Sequence, residues 1–149
     1  MVNNLQINFA ENLELKKNLL HKLVFFLKRD LKFEISSLVI NFIPSDQILT
    51  INKQYLNHHF TTDIITFNYS GNHKILDGEL YISIEDAENN AAKYGVSVQN
   101  EYFRLVIHGI LHLLDYDDQQ KSAKLVMKRL ENKLLKSIAP VLLKSGKLA

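Results

Sequence analysis

The sequence contains no cysteine, which excludes disulfides, thiolate metal sites and thiol nucleophiles together. Any metal ion held by this chain must use histidine and carboxylate side chains. No stretch is both apolar enough and long enough to span a bilayer, so no membrane partner is expected. Neither sign of charge dominates: Lys plus Arg number 18 against 16 for Asp plus Glu, a balance too even to announce a nucleic acid by its total. Internal repeats, low-complexity tracts and linkers are also lacking, so residues 1–149 are read as one domain around one core. The opening MVNNLQINFAENLELKK has no basic segment leading into an apolar run; secretion is not expected, and a cytoplasmic location is.

What is present reads as alternating strands and helices. Leu5 to Phe9 alternates apolar and polar residues, the period of a strand with one buried face. From Leu13 to about Lys32 apolar residues recur at helical spacing, with Leu19, Leu20, Leu23, Val24, Leu27 and Leu31 on one face. Ser36 to Ile43 is rich in β-branched and aromatic residues and stops at Pro44, which suits a second strand. Ser45 or Asp46 can cap a helix running to about Leu56. Residues 57–62 read as a polar loop. Strands follow at Ile64 to Phe67 and at Glu79 to Ile84, the latter entered through Asp77-Gly78, a turn dipeptide.

Glu85 to Tyr94 is helical in pattern and ends at Gly95, a left-handed C-cap position. Ser97 can cap a further helix from Val98 to about Leu114, apolar on most of its circumference and so expected in the interior. A last helix, Gln119 to about Ser137, carries Leu125, Val126, Leu130 and Leu134 on one face, and the tail from Ser145 is expected to fray. The order βαβαββααα predicts an α+β domain in which about five helices pack on a roughly four-stranded mixed sheet.

His108 and His112 stand four apart on the interior helix. That spacing offsets them by about 40° and one turn, so both imidazoles can reach one ion. The alternative for an isolated pair is two histidines hydrogen-bonded in the core, and a third residue has to decide. Asp118 lies six beyond His112; on a continuous helix it would sit about 15 Å from His108 along the axis. The helix must therefore break after His112. Asp115 is where the break is expected, because Asp tolerates the left-handed conformation better than most residues. Two imidazoles and one carboxylate form a set that zinc accepts at about 2.0 to 2.2 Å, with a fourth position left for water. One zinc ion, or another divalent metal, is the expected cofactor, and metal-dependent hydrolysis the expected chemistry.

The pattern His-x-x-x-His parallels the zinc-protease signature, in which a Glu directly after the first His is the general base. Here that position is Gly109, which cannot accept a proton. The site fits better with attack of an activated water on a polarised centre such as phosphorus.

The run His108-Gly109-Ile110-Leu111-His112-Leu113-Leu114-Asp115-Tyr116-Asp117-Asp118 resembles the signature H-G-x-L-H-L-x-G-Y-D-H of the bacterial YbeY endoribonucleases. It differs at Asp115, where the family has Gly, and at Asp118, where it has a third His. A second family stretch, N-x-x-Y-R-x-x-D-x-P-T-D-V-L-S-F, is matched at Asn52, Tyr55, Thr62, Asp63 and Phe67, with Leu56 in place of the arginine. Gly78 to Ser83 is similar to the family strand G-D-I-x-I-S. The resemblance implies a cytoplasmic zinc endoribonuclease acting on single-stranded RNA, in 16S ribosomal RNA 3′-end maturation and ribosome quality control. Its implied partners are single-stranded RNA and ribosomal RNA or particles, not DNA.

Other residues carry weaker signals. Arg104, one turn before His108, could reach a phosphate at the metal or simply snorkel to solvent. His58 and His59 could donate protons or bind phosphate, or be solvated bystanders. Lys121, Lys124, Lys128, Arg129, Lys133 and Lys136 stand against a single acid, Glu131, on the last helix; such a face attracts RNA backbone or is merely solvated. Tyr116 and Phe60 could stack bases or belong to the core. Two competing functions remain: a zinc metalloprotease-like hydrolase, and a ribosome-assembly binding factor whose metal is structural.

Overall fold

The computed structural model describes residues 1–56, 62–116 and 119–148, with side chains up to residue 144. Its elements are β1 (Leu5–Phe9), α1 (Lys17–Leu31), β2 (Glu34–Ile43), α2 (Ser45–Tyr55), β3 (Ile64–Asn68), β4 (Ile75–Ser83), α3 (Ile84–Tyr94), α4 (Val98–Leu113) and α5 (Lys121–Leu148). The order is the βαβαββααα expected, and the sheet is mixed as expected. It runs β1-β2-β4-β3, with β1, β2 and β4 parallel and β3 antiparallel to β4.

Strand alternation sends Leu38, Ile40, Phe42, Leu80 and Ile82 to one face, where α1, α4 and α5 bury them. α4 is the central helix of that layer: Phe103, Val106, Ile107, Ile110 and Leu111 have no exposed surface. Near one end the opposite face meets α2, through Ile43, Ile48 and Ile65.

Several boundaries differ from the sequence reading, each for a physical reason. Asp77 and Gly78 lie inside β4 and are not a turn. The chain reverses earlier, where Gly71 is left-handed at φ 67° and the Asn72 Oδ1 accepts from the N–H groups of Lys74 and Ile75 at 2.8 and 3.1 Å. A glycine is needed at 78 because an added Cβ would stand 2.8 Å from the Phe67 carbonyl oxygen and 3.0 Å from the Leu113 side chain. Helix α1 starts at Lys17 and not Leu13, with Leu15 packed into the core ahead of it. Neither Ser45 nor Asp46 caps α2; Pro44 is the N-cap residue. Ser45 instead donates its N–H and Oγ–H to Glu85 Oε1 at 2.9 and 3.2 Å, tying α2 to α3. By contrast Ser97 caps α4, accepting from the Asn100 N–H, and Gly95 ends α3 at φ 67°.

Helix α5 departs most. It continues through Pro140 to Leu148, past Ser137 and past Ser145, where fraying was expected. Packing carries it through the proline: Leu134, Ile138, Ala139 and Leu142 are all buried. Its inner face is the expected one only in part, with Leu134 buried and Leu130 packed partly against the core. Leu125 and Val126 are 48% and 55% exposed, while Met127 and Glu131 are buried at 1% and 4%. The buried stripe is therefore 127, 131, 134, 138 and 142, and it has a carboxylate in it.

Candidate active site

Helix α4 presents two stripes to two different neighbours. Gly109 faces the sheet, where a Cβ would meet Leu80 at 2.8 Å and Ile64 at 2.9 Å. Its small size lets the helix lie close on the strands, and a side chain at this position would enter the core instead of the site. The other stripe, Glu101, Arg104 and His108, faces the buried carboxylate of α5. His108 Nδ1 is 2.7 Å from Glu131 Oε2, and Arg104 Nη1 donates to Glu131 Oε1 at 2.8 Å. A carboxylate only accepts, so Nδ1 of His108 carries the proton of that bond and a metal would be held through Nε2.

Glu131 is held in its charged form by these two partners. Burial alone pushes its carboxyl up, but the hydrogen bonds from His108 and Arg104, with their positive charge, outweigh burial and hold it below the usual carboxylate range. Arg104 is in turn bound by Glu101, donating through Nε at 2.8 Å and Nη2 at 2.6 Å, and its guanidinium is held more firmly charged by that carboxylate first and Glu131 second. Asn90 of α3 donates to Glu101 at 3.1 Å and to Asp63 at 3.2 Å, and Asp63 also stands 3.8 Å from Arg104. One continuous polar chain thus runs Asp63, Asn90, Glu101, Arg104, Glu131, His108. It fixes the ring orientation of His108 from four separate parts of the fold.

His112 lies one turn on, its ring centroid 4.9 Å from that of His108 with the planes at 70°. Beyond it the helix ends as expected. Asp115 is left-handed at φ 74°, and the N–H groups of Asp115 and Tyr116 return to the carbonyls of His112 and Leu111, both at 3.0 Å. These paired reverse bonds form a Schellman motif, which satisfies carbonyls that the helix end would leave open. Asn68 of β3 donates to the Leu113 carbonyl at 3.4 Å and secures the same end to the sheet. The reversal near 115 is thus present. Asp118 lies outside the described residues, as do His58, His59 and Phe60. Among the described residues no group of three metal-ligating side chains converges. The donor set among these residues, paired imidazoles with one anchored on a buried carboxylate, fits a divalent metal such as zinc and needs one more ligand to complete it.

The remaining candidates sort by their surroundings. Arg104 is three-quarters buried and its hydrogen bonds go to carboxylates. Tyr116 packs partly against the core. Lys124 and Lys128 reach the site: with Arg104, His108, Met127 and Glu131 they line a cavity of about 160 Å³. A separate cavity of about 660 Å³ between Leu13, Leu19 and Leu143 includes none of these residues. Sequence reasoning treated Glu131 only as the one acid of a basic helix and missed Glu101 and Asn90. The available signal was position: Glu131 occupies the apolar repeat of α5, where a lone charge has to be paired.

The model of the family Endoribonuclease YbeY matches residues 2–139. The chain belongs to the YbeY endoribonuclease family. A YbeY endoribonuclease of Chlorobium limicola is 39% identical over 127 residues, covering 85% of this chain and 88% of that protein. One from Chlorobium phaeobacteroides is 37% identical over 132 residues, covering 89% and 92%. Among solved structures, TM1509 of Thermotoga maritima is similar with a TM-score of 0.65 and 25% identity, over 95% of this chain and 93% of that one. The YbeY signature thus coincides with the C-terminal part of α4 and its reversal. No helix among the described residues is long and apolar enough to cross a membrane.

Proposed function

We propose that this YbeY family member is a zinc-dependent endoribonuclease that hydrolyses phosphodiesters of single-stranded RNA, with ribosomal RNA its substrate and 16S 3′-end maturation and quality control in the cytoplasm its setting. The observation that carries the reading is the His108 and His112 pair with Glu131 behind it. His108 and His112, joined by Asp118, would hold the ion. When bound, zinc supplies a Lewis acid and acidifies water to a pKa of about 7.

The chain's own residues do the rest. Glu131 keeps the His108 ring in one tautomer and one orientation, and Arg104 keeps Glu131 charged. Because its bonds are taken by carboxylates, Arg104 acts on the site through Glu131 more than on a phosphate directly. Lys124 and Lys128, exposed on α5 at the cavity rim, are the cations placed to hold the RNA backbone on either side of the scissile group. Gly109 faces the sheet and has no side chain to accept a proton, so the glutamate that zinc proteases carry at this position has no equivalent there, which favours phosphodiester over peptide hydrolysis.

The test is incubation of the pure protein with a single-stranded RNA oligonucleotide and, separately, with a peptide library. RNA cleavage that chelator abolishes and zinc restores, and that His112→Ala and Asp118→Ala both lose, is expected. Undiminished cleavage in those variants, or turnover of peptides alone, would overturn the reading. Loss of cleavage with intact binding to ribosomal particles in the same variants separates catalysis from docking.

A further inference from the structure

Another cavity shares a wall with the histidine site. It measures about 390 Å³ and lies between the C-terminal end of α3, the first two turns of α4 and the first half of α5. Arg104, Lys128 and Glu131 line both this cavity and the smaller one beside His108, so the two meet at one ion pair with an exposed lysine on their common rim. The volume is within the range of ordinary ligand pockets, roughly 300 to 1,000 Å³.

The acids in its walls are already engaged. Glu101 accepts from Arg104 and Asn90, Glu131 from Arg104 and His108, and Asp63 from Asn90. The carboxamides of Asn100 and Asn132 also line the cavity, and among the described residues neither side chain has a hydrogen-bond partner. Beside them Tyr94 and Val96 are 63% and 41% exposed. Their place is fixed by the end of α3, where Gly95 is left-handed and the Val96 N–H returns to the Ala91 carbonyl at 3.0 Å. Lys93 Nζ lies over the Tyr94 ring, 5.5 Å from its centroid, and adds a second cation next to the cavity.

These groups select a ligand by what they offer. A phosphate alone would use only donors and a guanidinium only acceptors, whereas a carboxamide holds one of each side by side. The edge of a nucleobase presents the complementary pair, its plane stacks on tyrosine, and its sugar phosphate needs a cation at the rim, where Lys128 stands. We infer that the cavity between α3, α4 and α5 is a nucleobase subsite: a nucleotide flanking the phosphate at the histidine site turns its base in against Tyr94, and Asn100 and Asn132 hydrogen-bond the base edge. The inference rests on the proposed action on single-stranded RNA and gives that action a position at which base identity is sensed.

The probes are the four ribonucleoside 5′-monophosphates and ribose 5-phosphate, each titrated into the full chain, with the side-chain amide resonances of Asn100 and Asn132 and the ring resonances of Tyr94 as readout. A monophosphate has no internucleotide bond, so binding is read whether or not the protein cleaves RNA. At least one nucleotide should shift all three residues and bind about tenfold tighter than ribose 5-phosphate, and its affinity should fall about tenfold in Tyr94→Ala and in Asn132→Ala. Both side chains are exposed, so neither substitution endangers the fold. Equal affinity for ribose 5-phosphate and every nucleotide, or undiminished nucleotide affinity in either variant, would overturn the subsite even in a protein that cleaves RNA. Base-dependent binding by a protein that cleaves no RNA would support the subsite and contradict the catalytic reading instead.

Discussion

The two working stripes of α4 are built on opposite terms. Leu105, Val106, Ile110 and Leu113, with Gly109 between them, are buried against the sheet and neighbouring helices by apolar contact, which is non-directional and tolerates exchange of one hydrophobic side chain for another. Glu101, Arg104 and His108 are joined instead, the last through Glu131, by hydrogen bonds of 2.6 to 2.8 Å to carboxylates, where each member depends on its neighbour being present. The first stripe makes a fold; the second makes a rigid mount for one imidazole. A chain that needed only stability would fill position 131 with leucine.

Perturbing each stripe in turn should expose that difference. The largest effect expected is on activity: His108→Ala and His112→Ala should lose RNA cleavage entirely, with the thermal midpoint near wild type in His112→Ala, whose side chain is partly exposed, and lowered in His108→Ala, which takes one hydrogen bond from the buried Glu131. Glu131→Ala comes next, because it leaves the largely buried Arg104 charge without one of its three carboxylate hydrogen bonds. Denaturant unfolding should show a loss of about 3 to 5 kcal/mol, and zinc affinity should fall about 10- to 100-fold. Glu131→Gln should lose less of both, because its amide oxygen still accepts from His108. On α5, Leu134→Ala should cost about 2 to 5 kcal/mol, whereas Leu125→Ala, on the exposed side, should change stability by no more than about 0.5 kcal/mol. Gly78→Ala should cost about 1 to 3 kcal/mol, since backbone at 2.8 Å cannot give way. The smallest effect is a gain. Asp115→Gly should stabilise by about 1 kcal/mol or less, relieving a left-handed non-glycine residue, because its ion pair with His73 at 3.7 Å is exposed and weak.

The sequence made the apolar half of this molecule legible and the polar half only in part. Element order and the left-handed break at Asp115 followed from hydrophobic period and from the residues that tolerate φ > 0. The α5 face was misread because hydropathy counted Leu125 and Val126 as inward and could not place a glutamate there. Asp77-Gly78 was misread because the same glycine serves a turn or a close approach, and only the position of Leu113 tells which. Paired histidines announce themselves by spacing, but the carboxylate that orients one of them lies 23 residues away on another helix. Its partner cannot be found without the packing.

The most direct test is nitrogen-15 NMR of the histidine rings during titration of the metal-stripped protein with zinc. One equivalent should shift the Nε2 resonances of His108 and His112 together, leave Nδ1 of His108 protonated, and lose that response in His112→Ala. Zinc uptake that moves neither ring, or that proceeds with equal affinity in the variant, would contradict the account.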